Sequence, residues 1–272
     1  MTTTMTAQVS PDLRTTLRAL KLGQMLDTLP ERLTLARQQK MTHADFLELI
    51  LADEVTRREA KSAGLRARAA GLDAAMRLDA WDESAEVRYD RQLWNELTSL
   101  RFLDGPHGAL ILGPVGVGKT HLASALGHIA IRRRRTVHMA PAAKLFKRLR
   151  AARLDNTLEA EMRRLAGVEL LILDDFALQP LDATETADFY QLCVERHRKG
   201  ATIVTSNRTA EEWLSMMADP LLAQSAVDRL ASTAYELVIE GESYRRRQKP
   251  AIHHSAAGAS VDEKKRDHHD HP

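Results

Sequence analysis

The octapeptide from Gly113 to Thr120 constrains the fold more than any other part of the 272-residue chain. Its letters, GPVGVGKT, match the spacing G-x-x-x-x-G-K-[ST] of the loop that binds the phosphates of a nucleoside triphosphate. Glycines let the backbone bend closely around a phosphate, and the amide N–H groups of such a loop form an anion site at a helix N-terminus. We expect Lys119 to reach the β- and γ-phosphates and the Thr120 hydroxyl to bind Mg²⁺. The predicted nucleotide-binding residues are Gly113, Pro114, Val115, Gly116, Val117, Gly118, Lys119 and Thr120.

The residues on either side of this loop have the patterns that it requires. Residues 107–112 form a short apolar run, which predicts a β-strand, and apolar side chains recur at helical intervals over 121–131. A strand, a loop and a helix in this order are the structural context of phosphate-binding loops. We therefore favour this interpretation over an incidental glycine-rich turn.

A second apolar run, within residues 168–176, meets two acids about 50 residues after the loop. A buried parallel strand would bring Asp174 and Asp175 to the same sheet edge as the loop. We expect Asp174 to hold Mg²⁺, generally through water, and Asp175 to polarise the attacking water as a general base. The alternative is a strand that ends in an acidic turn.

Asn207 ends a further apolar run, residues 201–207. If this strand lies between the strand of the loop and the strand of Asp174, Asn207 points at the γ-phosphate and can orient the attacking water. Otherwise Asn207 is a turn residue, as an asparagine after a strand most often is.

Five apolar β-segments alternate with helical patterns beyond residue 100, which predicts an α/β fold with a parallel, doubly wound sheet. A small all-α domain is expected before it. The predicted limits are 1–11 for a disordered N-terminus, 12–80 for the helical domain, 81–248 for the ATPase domain and 249–272 for a disordered tail.

Local signals divide the helical domain further. A helix is expected from Leu13 to Leu29, where Pro30 would end it. Thr42 precedes Asp45 by three residues, which predicts a capping box at the start of another helix. The tail is rich in histidine, but its low complexity favours a solvated segment over a metal site.

The net charge is only +2, so a nucleic-acid partner cannot be argued from the total. Basic residues cluster instead at 132–135 and on helices predicted over 141–154 and 157–165. These two helices are our leading candidates for contact with DNA phosphates. The cluster at 132–135 fits phosphate binding and complementing of a helix C-terminus equally well.

The cysteine content and the lack of long apolar runs indicate the cellular compartment of the protein. Cys193 is the one cysteine, so no internal disulfide can form, which fits a reducing environment. The N-terminus lacks the basic and apolar pattern of a signal peptide, and no apolar run approaches a membrane span. We therefore expect a cytoplasmic protein with no membrane partner.

Several of these motifs together resemble one family, the IstB-like ATP-binding proteins. The segments that carry the resemblance are 113–120, 170–176, 206–208, 228–230 and 241–245. Members of this family are transposition helper ATPases of bacterial insertion sequences, related to the helicase loader DnaC within the AAA+ class of P-loop NTPases. The resemblance extends over about residues 12 to 248, and the ending Gly-Glu-Ser-Tyr-Arg is among its narrower signals.

The resemblance implies an AAA+ fold, ATP and Mg²⁺ as cofactors, and a homo-oligomer that holds ATP between subunits. Asn207 would be the sensor-1 residue, and Arg229 the arginine finger that reaches the ATP of the neighbouring subunit. A surface arginine at a helix end is the alternative for Arg229. DNA and the transposase encoded beside the protein would be the partners.

Two departures from the usual AAA+ pattern are expected. Little ordered sequence follows Ile239, so a full C-terminal helical lid should be absent, and Arg245 is only a weak sensor-2 candidate. Asp175 stands where many AAA+ proteins have a glutamate. The shorter side chain predicts slow basal hydrolysis.

The leading hypothesis is an ATP-dependent helper of transposition that assembles on duplex DNA and hydrolyses ATP slowly, with stimulation by DNA. A loader of the replicative helicase would use the same ATPase on single-stranded DNA. Aromatic residues are few, at 4%, and do not cluster with the basic helices as base stacking would require. A small-molecule kinase with the same loop is the alternative of another class, and Asn207 and Arg229 speak against it.

Overall fold

A computed structural model describes residues 9–82, 87–105 and 107–244 of the chain. The strands in this part are β1 (Val87–Arg88), β2 (Gly108–Leu112), β3 (Val137–Pro141), β4 (Leu170–Asp174), β5 (Ala201–Ser206), β6 (Ala234–Val238) and β7 (Glu240–Gly241). The helices are α1 (Pro11–Ala19), α2 (Leu29–Gln39), α3 (His43–Ala69), α4 (Arg91–Ser99), α5 (Lys119–Arg132), α6 (Ala142–Leu154), α7 (Leu158–Gly167), α8 (Ala183–Arg196), α9 (Ala210–Leu214) and α10 (Pro220–Ala231). Short 3₁₀ helices occupy Gly23–Asp27, Leu78–Ala80 and Arg101–Leu103.

The central sheet has five strands in the order β3-β4-β5-β2-β6, and every neighbouring pair in it is parallel. Strands β2, β4 and β5 are buried at each position, as continuous apolar runs in a parallel sheet predict. The predicted α/β fold with a five-stranded parallel sheet is therefore confirmed. Strand β5 lies between β2 and β4, which is the condition on which the interpretation of Asn207 depended.

Helices cover both faces of this sheet, because alternate side chains of each strand point to opposite sides. Ala109 and Ile111 of β2 pack into a core that α5 covers, whereas Leu110 and Leu112 pack into a second core. Helices α6, α7, α8 and α10 cover the second core. The sheet is thus doubly wound, and its carboxyl edge is left open for the loops that follow the strands.

The first helices enclose a small core of their own, built on Leu17, Met25 and Leu29. The predicted capping box is confirmed, since Thr42 and Asp45 exchange hydrogen bonds at the start of α3. The prediction for Pro30 was wrong: α1 ends at Ala19, and Pro30 lies in the first turn of α2. Proline is tolerated there because the first amide groups of a helix need no intrahelical acceptor.

The expected disordered segment 1–11 extends too far, because the side chain of Ser10 caps α1 and Val9 is buried. Residues 1–8 and the predicted tail, 249–272, lie outside the described residues, as does Arg245. After β7 only three described residues follow, so the described chain contains no C-terminal helical lid. The domain limit at residue 80 stays a prediction.

Helix α3 links the first helices to the sheet. Its last turns contribute Ala67 to the core under α5, together with Ala70 and Leu72 just beyond the helix. The amide of Met139 in β3 donates to the carbonyl of Ala70 at 2.7 Å, so the chain after α3 adds to the sheet edge. Within the part of the chain that is described, none of the helices is both long and apolar enough to cross a lipid bilayer.

Candidate nucleotide-binding site

The loop between β2 and α5 has the conformation that its glycines predict. Gly113, Gly116 and Gly118 all have positive φ angles, of 148°, 88° and 98°. A Cβ atom at Gly113 would overlap the carbonyl oxygen of Ile239, so this position excludes larger residues by space as well as by backbone angle. The loop leads directly into α5, whose N-terminal amide groups then face the same space.

Lys119 begins α5 and is 6% exposed. Its Nζ donates to the carbonyl oxygens of Gly113 and Pro114, at 2.8 and 2.7 Å. The ammonium is therefore held along the loop at the point where phosphates would lie. A phosphate oxygen is a stronger acceptor than a carbonyl, because both partners of the hydrogen bond are then charged.

Asp174 ends β4 beside the loop and is 5% exposed. Its Oδ1 accepts hydrogen bonds from the hydroxyls of Thr120, at 2.9 Å, and Thr205, at 2.6 Å. Burial raises the pKa of Asp174 above its ordinary value, while the two hydroxyls act in the opposite direction. No ion pair among the described residues includes Asp174.

The oxygen atoms of Thr120 and Asp174 fit Mg²⁺, which prefers hard oxygen ligands. Among the residues that the structure describes, no three His, Cys, Asp or Glu side chains gather as a metal cage would require. Mg²⁺ usually needs no such cage, since one or two protein oxygens, waters and substrate phosphates complete its shell.

Asp175 and Asn207 lie on the exposed surface of the same cavity, which has a volume of about 620 Å³. Cavities of roughly 300 to 1,000 Å³ are typical for small molecules and cofactors. Asp175 has a left-handed backbone, with φ 52°, and its amide donates to the hydroxyl of Thr205 at 2.9 Å. The structure thus brings together the loop, Asp174, Asp175 and Asn207.

The comparisons with known proteins agree with this geometry. The model of the family described as IstB-like ATP binding protein matches residues 15–251. This chain belongs to that family. An insertion-sequence ATP-binding protein of Mycobacterium tuberculosis is 36% identical over 241 residues, which are 88% of this chain and 96% of that protein. The ATP-binding protein of the insertion sequence IS21 from Pseudomonas aeruginosa is 32% identical over 238 residues, 88% of this chain and 90% of that protein.

A solved structure of DnaI is similar in fold, with a TM-score of 0.51 and 20% identity over 60% of this chain and 90% of DnaI. The likeness supports the P-loop α/β architecture alone. The family and both relatives are known as ATP-binding proteins, so ATP binding is a property of the family to which the chain belongs.

In this IstB-like protein, two segments far apart in sequence close over the loop. The ring of Trp81 lies so near Gly118 that a Cβ there would stand 2.6 Å from it, and the ring also meets His121 edge-on. The amide of Tyr244 donates to the carbonyl of Gly116 at 2.9 Å. Trp81 and Tyr244 both line the cavity, and the antiparallel pairing of β1 with β7 joins the two segments.

Sequence reasoning did not assign Trp81 or Thr205 to the site. Trp81 lies in a segment without a motif, and the sequence alone does not distinguish it from Trp94, which also precedes the phosphate loop. Tyr244 belongs to the Gly-Glu-Ser-Tyr ending that carried the family resemblance, and its contact with Gly116 gives that ending a physical role.

Arg229 stands apart from the cavity of its own subunit. It lies in the last turn of α10, where Nη1 donates to the carbonyl of Ser225 at 2.7 Å and the guanidinium lies 5.7 Å from the ring of Tyr190. It lines a small separate cavity with Gly108 and Thr233, where β2 and β6 begin. Arg229 is thus at the opposite edge of the sheet from the phosphate loop.

The basic clusters of this IstB-like protein are largely neutralised. Arg134 pairs with Glu59 of α3, and Arg135 pairs with Asp104 and Glu169, so the cluster at 132–135 fastens neighbouring elements to each other. The arginines of α6 that pair with acids of α7 and α8 are Arg148, Arg150 and Arg153. Of the cations on α6, Lys144 and Lys147 are exposed and form no ion pair with any described residue.

Proposed function

We propose that this protein is an ATP-hydrolysing helper of transposition that assembles on duplex DNA, holds ATP between subunits and cooperates with a transposase. The observation that carries the proposal is the pair Asp174 and Thr120, hydrogen-bonded at 2.9 Å beside the phosphate loop. Such a pair is typical of the metal site of an ATPase. The two relatives that match 88% of this chain are ATP-binding proteins of insertion sequences.

Hydrolysis needs a positioned water as well as bound phosphates. When bound, Mg²⁺ supplies neutralisation of charge that develops on the phosphates. Asp175 and Asn207 face the same cavity and are free to contact water near the γ-phosphate. We assign Asp175 the role of general base and Asn207 that of orienting the water. The short side chain of Asp175 supports slow basal turnover.

The position of Arg229 supports a role across a subunit boundary. An arginine at the edge opposite its own phosphate loop cannot stabilise charge there, but it can meet the cavity of a neighbouring copy. We expect Arg229→Ala to retain ATP binding and to lose at least about 10³-fold in hydrolysis, the effect of removing an arginine finger. Loss of ATP binding in this variant would instead make Arg229 structural.

Complementation between two inactive variants tests the trans arrangement directly. Lys119→Ala subunits keep Arg229 but bind ATP only weakly, whereas Arg229→Ala subunits bind ATP but lack the arginine. A mixture of the two should hydrolyse ATP, because a Lys119→Ala neighbour supplies Arg229 to the ATP held by the other subunit. Absence of any rescue in mixed oligomers would contradict ATP sharing between subunits.

Lys144 and Lys147 are the residues of α6 that we assign to DNA phosphates. Lys144 lies in the first turn of the helix, directly after β3, so it stands at the same carboxyl edge as the nucleotide. Each phosphate contact adds about 0.9 to the slope of log affinity against log salt. The double variant Lys144→Ala, Lys147→Ala should therefore lower that slope by about 2 per subunit. Arg148→Ala with Arg150→Ala is the matched control, because acids already neutralise these cations on the same helix.

Binding to labelled duplex and single-stranded DNA, with ATP, ADP or no nucleotide, tests the function as a whole. Tight, ATP-dependent binding to duplex DNA that weakens with salt is the expected result. A preference for single strands would indicate a helicase loader. DNA binding that does not depend on the nucleotide would favour the alternative function, a small-molecule kinase.

A further inference from the structure

Thr205 connects the two acids of the site and is fully buried, at 0% exposure. It belongs to β5, two residues before Asn207, and lies between Val204 of the apolar core and the buried Ser206. The Thr205 hydroxyl donates to Oδ1 of Asp174 at 2.6 Å and accepts the amide hydrogen of Asp175 at 2.9 Å. Sequence reasoning had treated Thr205 as part of a strand.

The direction of these hydrogen bonds follows from the chemistry of the groups. A backbone amide can only donate, and an ionised carboxylate can only accept. The single proton of the Thr205 hydroxyl must therefore point to Asp174, while its lone pair receives Asp175. The relay runs one way, from the Asp175 amide through Thr205 to the Asp174 carboxylate, with no alternative arrangement of protons.

This relay holds two backbone features that the site needs. Asp175 has a left-handed φ of 52°. This conformation is unfavourable for residues other than glycine, so surrounding contacts must stabilise it. The amides of Asp175 and Phe176 both bond to Thr205, the first to the hydroxyl and the second to the carbonyl oxygen at 2.9 Å. One residue of β5 thus fastens the turn that carries both acids.

We propose that Thr205 is a positioning residue of the ATPase site, which orients Asp174 toward the metal and Asp175 toward the attacking water. The inference rests on the proposed function, since it assigns a residue to the same reaction. Thr205 touches neither nucleotide nor metal; it acts through the two acids. Partners of this kind commonly change metal affinity or activity about 10- to 100-fold when they are removed.

Thr202 offers a matched control on the same strand. It is also a buried threonine, and its hydroxyl accepts from Nε of Arg196 at 2.9 Å, far from the acids. Three residues of a strand separate the two threonines by about 10 Å. Loss of either hydroxyl leaves a buried donor without an acceptor, so both changes lower stability. Only the change at Thr205 should alter the response to Mg²⁺.

The experiment uses the full-length Thr205→Val, Thr205→Ser and Thr202→Val proteins. Affinity for ADP and for a non-hydrolysable ATP analogue is measured by calorimetry with Mg²⁺ and in EDTA, and hydrolysis is measured at saturating Mg·ATP. In Thr205→Val we expect the gain in affinity from Mg²⁺ and the kcat to fall about 10- to 100-fold, with the metal-free affinity for ADP unchanged. Thr205→Ser should restore both, because serine keeps the hydroxyl.

Wild-type behaviour of Thr205→Val in both assays would overturn the proposal, as would equal losses in Thr202→Val. The proposal would also be overturned if the wild-type protein bound the nucleotides with the same affinity in Mg²⁺ and in EDTA. The binding assay needs neither hydrolysis nor DNA. Hence a protein that passes it but never assembles on DNA would contradict the proposed function while supporting the role of Thr205.

Discussion

Glu54 in α3 and Asp174 beside the phosphate loop are both buried carboxylates, and their hydrogen-bond partners differ in charge. In α3, Glu54 is 4% exposed and accepts from Nε and Nη2 of Arg57, at 2.8 and 2.7 Å, and from Nε of Arg58, at 2.6 Å. The hydrogen bond from Arg57 is the main reason that the pKa of Glu54 falls to about 2. Asp174 is equally buried, but it accepts its side-chain hydrogen bonds from hydroxyl groups, whereas Glu54 accepts them from guanidinium groups. Burial raises the pKa of Asp174.

The difference separates a charge used for folding from a charge kept for a ligand. Arg58 also donates to the carbonyl of Lys21, so the Glu54 cluster ties α3 to the turn after α1. A cation supplied by the protein completes that arrangement. At Asp174 the side-chain hydrogen bonds come from the neutral hydroxyls of Thr120 and Thr205, an oxygen-rich environment that fits the proposed binding of Mg²⁺.

Asp174→Asn compared with Glu54→Gln should give the largest contrast. We expect Asp174→Asn to lower ATP hydrolysis at least about 100-fold, because a neutral amide binds Mg²⁺ poorly and the metal carries much of the charge stabilisation. Glu54→Gln should stay within about twofold of the wild type, since an ion pair in the first helices touches no nucleotide. The measurement is steady-state hydrolysis at saturating Mg·ATP. Equal losses of ATP hydrolysis in the two variants would contradict the proposed difference between the two carboxylates.

Lys119→Ala tests the buried ammonium group of the phosphate loop. Loss of an ammonium that meets phosphates should cost about 3 kcal/mol of binding, which is roughly 100-fold in the affinity for ATP. Lys61→Ala, at an exposed position of α3, is the control and should leave the affinity unchanged. Calorimetric titration with a non-hydrolysable ATP analogue gives the answer. An unaltered affinity in Lys119→Ala would mean that Lys119 serves the structure of the loop and does not bind the nucleotide.

The phosphate loop and Asp174 could be proposed as a site from motifs alone, because each of these patterns is local in sequence. The loop needs eight consecutive residues, and the strand that ends in Asp174 is a continuous apolar run, so both could be recognised without the fold. The alternation of strands and helices predicted a parallel sheet but left the order of its strands open. In the structure β5 lies between β2 and β4, which is the condition on which the interpretation of Asn207 depended. The functions of Asp175, Asn207 and Arg229 stay predictions.

What the sequence could not predict depends on contacts between distant segments. Thr205 and Asp174 are 31 positions apart in the sequence, yet their side chains are hydrogen-bonded. Nothing in the sequence of β5 distinguishes Thr205 from Thr202. The cluster at 132–135 was equally compatible with phosphate binding until its acidic partners, as far away as Glu59, were located. Pro30 failed for a different reason: proline marks both the end of one helix and the first turn of the next, and only packing decides between them.

The same two carboxylate variants should change stability in opposite directions. Glu54→Gln leaves two arginines without their acid, and we expect a loss of about 1–2 kcal/mol, because both arginines are partly exposed. Asp174→Asn removes a buried charge that no described cation balances, so stability should rise by up to about 1 kcal/mol at the expense of activity. Urea unfolding monitored by circular dichroism measures both. A loss in Asp174→Asn as large as in Glu54→Gln would show that Asp174 also holds the fold together.

The pH dependence of these stability differences should show the smallest effect, with a sign that can be worked out. The folded-state pKa of Glu54, about 2, lies below its ordinary value of 4.5. Its contribution is therefore complete above about pH 4.5 and is lost as the pH falls toward 2. The pKa of Asp174 is raised above its ordinary 3.8, so its ionisation opposes folding at neutral pH, and this penalty disappears as the pH falls through the raised value.

Measured against the wild type, the deficit of Glu54→Gln should thus persist at pH 5 and shrink only below about 4.5. The advantage of Asp174→Asn should shrink as the pH falls through the raised pKa of the wild-type aspartate, because protonation of that aspartate removes the same charge as the substitution. Urea midpoints from pH 7 down to the acid limit of the folded protein resolve the two trends. If the two differences have the same sign at pH 7, or if the advantage of Asp174→Asn does not shrink as the pH falls, the contrast between a structural and a ligand-ready charge fails.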